Sequence, residues 1–143
     1  MPNVQSKAKA GKFLLIIAAL TVLEGLLILA GILPPLSAYS AVQIIFILAQ
    51  IATVAYMGFS LAKLGLKKIA VKGALAGLVM MAVVSVFSAI GYVRGIPVLG
   101  VPVQAAAYLP IVLLVIAVPN ILLFAIFAIA GALLAPKKTM KKK

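Results

Sequence analysis

The single acidic side chain of this protein, Glu24, lies inside the apolar run 13–33. A carboxyl group in such a run is costly to bury, and by default it indicates a site that handles protons or ions. At about 1.5 Å per residue, Glu24 lies about 16 Å along a helix that begins at position 13, close to the middle of a membrane. Gln50 and Asn120 have a similar depth in two other apolar runs, and Ser85 lies within about one turn of that depth in a further run. We expect these side chains to form one mid-membrane polar layer.

Two interpretations of this layer stay open. In the first, the chain is a small proton- or ion-coupled transporter or channel, and Glu24 is the group that titrates. In the second, a protonated Glu24, the two amides and the hydroxyl hydrogen bond to one another and hold the helices together, at roughly 0.6–2 kcal/mol per contact. The second interpretation is favoured, because transport sites usually need a water path, more polar lining and broken helices. Only the fourth span offers such a break, at Pro119 and Asn120.

Chemistry that depends on imidazole, thiol or paired carboxylate side chains is excluded, because the chain has no His, no Cys and one acidic residue. Thiolate and imidazole metal sites, His or Cys ligation of haem, and Ser-His-Asp or Cys-His nucleophiles cannot be built within it. A carboxylate pair for general acid–base catalysis is missing for the same reason. We therefore expect no catalytic residue, no metal site and no cofactor, and we expect that the chain is not an enzyme.

The composition indicates which solvent surrounds most of the chain. Its 143 residues are 66% hydrophobic and 10% charged, whereas average soluble domains are roughly 45–50% apolar and about 25% charged. A soluble fold of this size has too little interior to hide that much apolar surface. The sequence therefore predicts an all-α polytopic membrane protein, a bundle of four transmembrane helices arranged as two hairpins in a domain 13–135. The predicted spans are 13–33, 41–62, 73–92 and 105–135.

The basic residues predict how these spans are oriented. All of them except Arg94 lie in the arm 1–12, in the loop between the second and third spans, or in the tail 136–143. An even number of spans places these segments on one face, and short loops rich in Lys and Arg stay cytoplasmic. We therefore expect a basic arm and a basic tail on the cytoplasmic side of an integral membrane protein. The membrane is either a cell membrane or a virion membrane or shell.

The lysines of the middle loop and the tail have three candidate partners. These are the anionic headgroups of the bilayer, an acidic partner subunit, or nucleic-acid phosphates bound by charge alone. Attraction to anionic lipid is favoured, and because no aromatic residue lies among the lysines, base stacking is not expected. The residues concerned are Lys63, Lys67, Lys68, Lys72, Lys137, Lys138, Lys141, Lys142 and Lys143.

Two further features concern packing between helices or subunits. Gly73 and Gly77 form a GxxxG motif at the start of the third span, and such a pair lets another helix backbone approach closely, either in the same chain or in a second copy. The outer segment 93–104 is rich in Gly and Pro but apolar. We expect it to lie in the membrane interface, to form a small hairpin, or to dock on another subunit.

These observations favour a non-catalytic structural or accessory subunit of a larger membrane assembly, as a homo- or hetero-oligomer. That assembly is expected to be a respiratory or transport complex, or a virion whose membrane or coat protein turns its basic segments toward nucleic acid. The alternative is the small transporter or channel built around Glu24.

Overall fold

The computed structural model describes residues 2–136. The regular secondary structure in this part of the chain is entirely helical, with no strand. It contains four long helices, and each is long and apolar enough to cross a membrane. This confirms the all-α class and the number of apolar helices predicted from the sequence. The helices are α1 (Pro2–Leu29), α2 (Ala41–Ser60), α3 (Leu66–Val93) and α4 (Leu109–Leu133), with short 3₁₀ turns at Leu36–Ala38, Ala62–Leu64 and Val103–Tyr108.

The end of α1 comes earlier than predicted, at Leu29, because Gly31 closes the helix. Gly31 has a φ of 73°, and its N–H donates to the carbonyl of Ile28 at 3.0 Å. The N–H of Ile32 donates to the carbonyl of Leu27 at 2.9 Å. These two bonds form a Schellman motif, which satisfies the last carbonyls of a helix and needs a residue that tolerates the left-handed conformation.

Helix α1 extends into the basic arm, and the predicted middle loop is largely part of α3. α1 begins at Pro2 and includes most of the basic arm, and α3 begins at Leu66, after Gly65. Lys67, Lys68 and Lys72 therefore lie in the first two turns of α3. Lysine is a good helix former, so the helices continue past the apolar runs. At the other end of the chain α4 begins at Leu109, and the predicted start of the fourth span at position 105 lies in a 3₁₀ turn.

The start of α2 is anchored by Gln43, whose side chain is 1% exposed. Its Oε1 accepts a bond from the Ser40 N–H at 2.8 Å, and its own N–H donates to Ser40 Oγ at 3.4 Å. Its Nε2 donates to the carbonyls of Pro34 and Pro35 at 2.8 and 3.1 Å. The capping box thus satisfies the helix terminus, and the same amide fixes the proline turn that precedes it.

The four helices form a ring in the order α1, α3, α4 and α2. α4 packs mainly on α3 and α2, and α1 packs on α3 and α2, while α2 and α3 touch little. One buried cluster joins the start of α1 to the end of α2, the start of α3 and the end of α4; its members there include Ala10, Leu61, Ile69 and Ala135. We call this the lysine end. The opposite end holds the segments 30–40 and 94–108, and we call it the loop end.

Small residues bring α4 close to two neighbours in its half near the lysine end. The backbone of Gly58 on α2 meets the Ala128 carbonyl, and a Cβ on Gly73 of α3 would lie 2.7 Å from the Ala128 Cβ and 2.6 Å from the Phe124 carbonyl oxygen. A Cβ on Gly77 would lie 2.8 Å from the Cα of Ile121. The structure therefore places the GxxxG pair against α4 of the same chain.

We expect Ala128→Leu to lower the free energy of unfolding by about 1–3 kcal/mol or more, because Ala128 is fully buried between α2 and α3 and added methylenes overpack such a contact. Ala130→Leu is the matched control, since Ala130 is exposed on the same helix and its substitution should stay within about 0.5 kcal/mol. Unfolding by titration with denaturing detergent, followed by circular dichroism, measures both. Equal stability of the two variants would contradict this packing.

Candidate functional site

A cavity of about 230 Å³ lies among the four helices and extends toward the loop end. Its polar lining comes from Thr21, Glu24, Ser37, Tyr39, Gln50 and Asn120. Its walls are otherwise apolar, with side chains from α2, α3, α4 and the loops: Leu36, Ile47, Ile51, Met80, Met81, Val84, Leu99, Ile116, Leu123 and Phe124. Among the residues that the structure describes, no lysine or arginine lines it. The cavity is therefore an apolar space with a small number of polar groups, one of which is acidic.

Glu24 is 5% exposed and is the acidic group of this cavity. Its Oε1 atom is buried and has no hydrogen-bond partner within residues 2–136. A buried polar atom without a partner is rare in folded proteins, and each case calls for a physical explanation such as a bound ligand, water or ion. Glu24 lies five residues before the end of α1, so it is about 7.5 Å along the axis from the loop end of that helix.

Gln50 connects α2 to α1 through a residue that the sequence analysis missed. Its Nε2 donates to Thr21 Oγ1 at 3.3 Å, and Thr21 Oγ1 donates to the Ile17 carbonyl at 2.8 Å. Both side chains are buried. Thr21 precedes Glu24 by three residues and therefore lies on the same helix face. That spacing is the signal in the sequence that could have identified Thr21.

The other members of the predicted polar layer hydrogen bond within their own helices. Asn120 is half-buried at the cavity and donates from Nδ2 to the Ile116 carbonyl at 2.8 Å. Ser85 does not line the cavity, and its Oγ donates to the Met81 carbonyl at 2.8 Å. The structure therefore brings Glu24, Gln50 and Asn120 to one cavity but not Ser85. The mutual hydrogen bonds expected between the layer and Glu24 are not formed.

The loops of the chain pack on each other above the cavity. The Leu36 N–H donates to the Val98 carbonyl at 2.8 Å, and Val98 and Leu99 are buried. The segment 93–104, for which docking on another subunit was one expectation, thus packs on its own chain. Tyr39 lines the cavity and is exposed, with a left-handed φ of 47°. The cavity therefore reaches the surface at the loop end.

The lysines lie away from this cavity. Lys63, Lys67 and Lys68 are exposed and Lys72 is half-buried, all at the lysine end. The tail lysines, Lys137 to Lys143, lie outside the described residues. The described lysines at the lysine end are therefore separate from the Glu24 cavity.

The donor set of this cavity suits a proton or a single positive charge. Within residues 2–136, no group of three or more His, Cys, Asp or Glu side chains could hold a metal ion. A single unpaired carboxylate is complemented by one proton or one monovalent cation. No family model, curated protein or solved structure matches this chain, and the function is therefore argued from this site.

We expect Thr21→Val to destabilise the protein by about 1 kcal/mol, because it leaves the buried Gln50 amide without its acceptor. Thr53→Val is the matched control, since the Thr53 hydroxyl donates only to the Ala49 carbonyl of its own helix and its loss should cost less than about 0.5 kcal/mol. Denaturing-detergent titration measures both variants.

The double variant Thr21→Val with Gln50→Leu separates this hydrogen bond from general packing. Because both polar partners are then replaced, its loss of stability should be smaller than the sum of the two single losses. Additive losses would show that the two side chains do not interact.

Proposed function

We propose that this chain is a small integral membrane transporter in which Glu24 binds and releases a proton or a small cation. The observation that carries the proposal is the cavity of about 230 Å³ lined by Glu24, whose buried Oε1 has no hydrogen-bond partner within residues 2–136. An ionisable residue inside a membrane-spanning bundle that faces an internal cavity is typical of proton and ion pathways. The connection of the cavity to the loop end supplies a route to the site.

We also propose how the chain is arranged in the membrane, with four spans and both termini on the cytoplasmic side. Four helices of sufficient length and apolarity support the number of spans. The lysines near the start of α1 and around the α2–α3 linker share one end of the bundle, while Arg94 lies at the loop end. Short basic segments stay cytoplasmic, so the loop end and the mouth of the cavity face away from the cytoplasm.

Single cysteines test this orientation directly, because the natural chain contains none. Val93 is 84% exposed, and Val93→Cys should react with a membrane-impermeant maleimide added to intact cells. Leu66 is 45% exposed, and Leu66→Cys should react only after the cells are opened. Neither substitution alters a charge that directs topology. Labelling of both positions from the same side would contradict the proposed spans.

Reconstitution into liposomes tests transport. Under an imposed pH gradient, an entrapped pH-sensitive dye should report flux with the wild-type protein and loss of that flux with Glu24→Gln. Ser85→Ala is the control, because Ser85 lies off the cavity and its hydroxyl bonds only to a carbonyl of its own helix, and its flux should match the wild type. Flux that is absent from the wild type for protons and for small cations, or unchanged in Glu24→Gln, would contradict a transport role.

A structural or accessory subunit of a larger membrane assembly is the second candidate, and α4 is the observation that favours it. Only 11% of the apolar window in α4 is buried within the chain, and exposed side chains such as Leu114 and Ile126 could pack on another subunit as well as on lipid. Native mass spectrometry of the protein from its source membrane separates the candidates. Stoichiometric co-purifying chains, with no flux from the purified protein, support the accessory role.

A further inference from the structure

The ligand that fits the Glu24 cavity is set by charge balance and by the apolar walls. From these we infer that the cavity binds a small monovalent organic amine, with its ammonium group on Glu24 and its apolar body between α2, α3 and α4. This inference rests on the proposed role of Glu24 as the binding carboxyl, and it names the class of molecule that this site takes.

When Glu24 is ionised, the charge of the site is balanced by a single positive charge. Glu24 is the acidic residue at the cavity, and no basic residue of the described segment 2–136 lines the cavity to neutralise it. A buried carboxylate without a partner is strongly unfavourable, and an ion pair with a ligand cation compensates it. A divalent cation on one carboxylate would leave a net positive charge among apolar walls, so the complement of this site is monovalent.

The coordination available favours an ammonium group over an inorganic ion. Hard metal ions bind about six or more oxygen ligands in compact geometry, whereas most of the side chains around this cavity are apolar. The Thr21 hydroxyl already donates to the Ile17 carbonyl and accepts from Gln50. An ammonium group needs fewer acceptors, because it has at most three N–H donors. Glu24 lines the cavity and is its carboxyl acceptor. Gln50 and Asn120 each use the amide NH₂ in a hydrogen bond, so the amide oxygen is the acceptor that each can offer.

The volume and the walls of the cavity define the apolar part of the ligand. An apolar cavity of about 150 Å³ holds a benzene molecule, and drug-sized ligands occupy about 300–1,000 Å³. The 230 Å³ here falls between these two sizes. One aromatic ring or a short branched alkyl chain that carries an amine fills it, with Met80, Met81 and Phe124 among the apolar contacts. Methionine and phenylalanine side chains suit such a body, since thioether sulfur and ring faces contact aromatic groups and cations favourably.

Equilibrium binding of 2-phenylethylamine to the full-length protein in lipid nanodiscs tests this inference. Empty nanodiscs give the blank for partition into lipid, and 2-phenylethanol is the neutral analogue of nearly equal shape. The wild-type protein should bind the amine at one saturable site and the alcohol at least roughly tenfold more weakly, because only the amine forms a charge-assisted bond with Glu24.

Variants assign that preference to the carboxyl. Glu24→Gln should weaken amine binding by roughly tenfold or more and leave binding of the alcohol nearly unchanged. Glu24→Asp keeps the charge and should keep the preference for the amine. Ile51→Phe, which fills part of the cavity from α2, should weaken both compounds. Circular dichroism on each variant verifies that the helices are retained.

The inference is overturned by any of three results: no saturable amine binding to the wild type, equal affinity for amine and alcohol, or equal amine binding by wild type and Glu24→Gln. Displacement of the amine by sodium ions at matched concentration would assign the site to an inorganic ion and would also overturn it. Liposome flux separates this from the proposed function. If proton flux depends on Glu24 but no amine binds, the amine inference is rejected and the transport proposal is retained. If the amine binds but no flux is detected, the transport proposal is rejected and the amine site is retained.

Discussion

Ala128 of α4 lies directly against the backbones of two other helices, and the shape of the bundle follows from that contact. Gly58 of α2 and Gly73 of α3 both meet it, and a side chain at either glycine would collide with α4. Helix backbones can approach this closely only where small residues face each other. Nearer the loop end, Met80, Val84 and Leu99 line the cavity instead. One half is therefore tightly packed, and the other half contains the cavity.

The cost of burying Glu24 is not compensated by the residues around it. If the polar layer served only to hold the helices together, its amides and hydroxyls would be expected to bond with the carboxyl. Instead Gln50 donates to Thr21, and Asn120 donates to the Ile116 carbonyl. The neighbours are thus satisfied, while Glu24 Oε1 has no partner in the described part of the chain. This pattern of hydrogen bonds favours a Glu24 carboxyl that binds a ligand over one that holds the helices together.

The sequence was sufficient to predict four apolar helices, because length and hydropathy decide that outcome with little help from tertiary contacts. It was insufficient at the boundaries. Gly31 lies inside an apolar run and looks like part of a span, and only its φ of 73° identifies it as a terminator. Thr21 belongs to the site because it shares a helix face with Glu24. The three-residue spacing predicts this once it is known which face of α1 lines the cavity. The cavity could not be predicted at all, because its volume depends on how side chains from four helices fill the space between them.

In the proposed transport role, the ligand must also be released on the opposite side, and the packing indicates which contacts that step would have to open. The cavity reaches the surface at Tyr39 of the loop end, whereas the glycine and alanine contacts of α4 close the route toward the lysine end. Pro119 lies inside α4 between these two regions, and it removes one backbone hydrogen bond, which makes that point of the helix the easiest to bend. Movement of the half of α4 that contains Ala128 away from α2 and α3 would expose Glu24 to the lysine end. The residues that make the bundle tight are therefore the same residues that any transport cycle through this site has to separate.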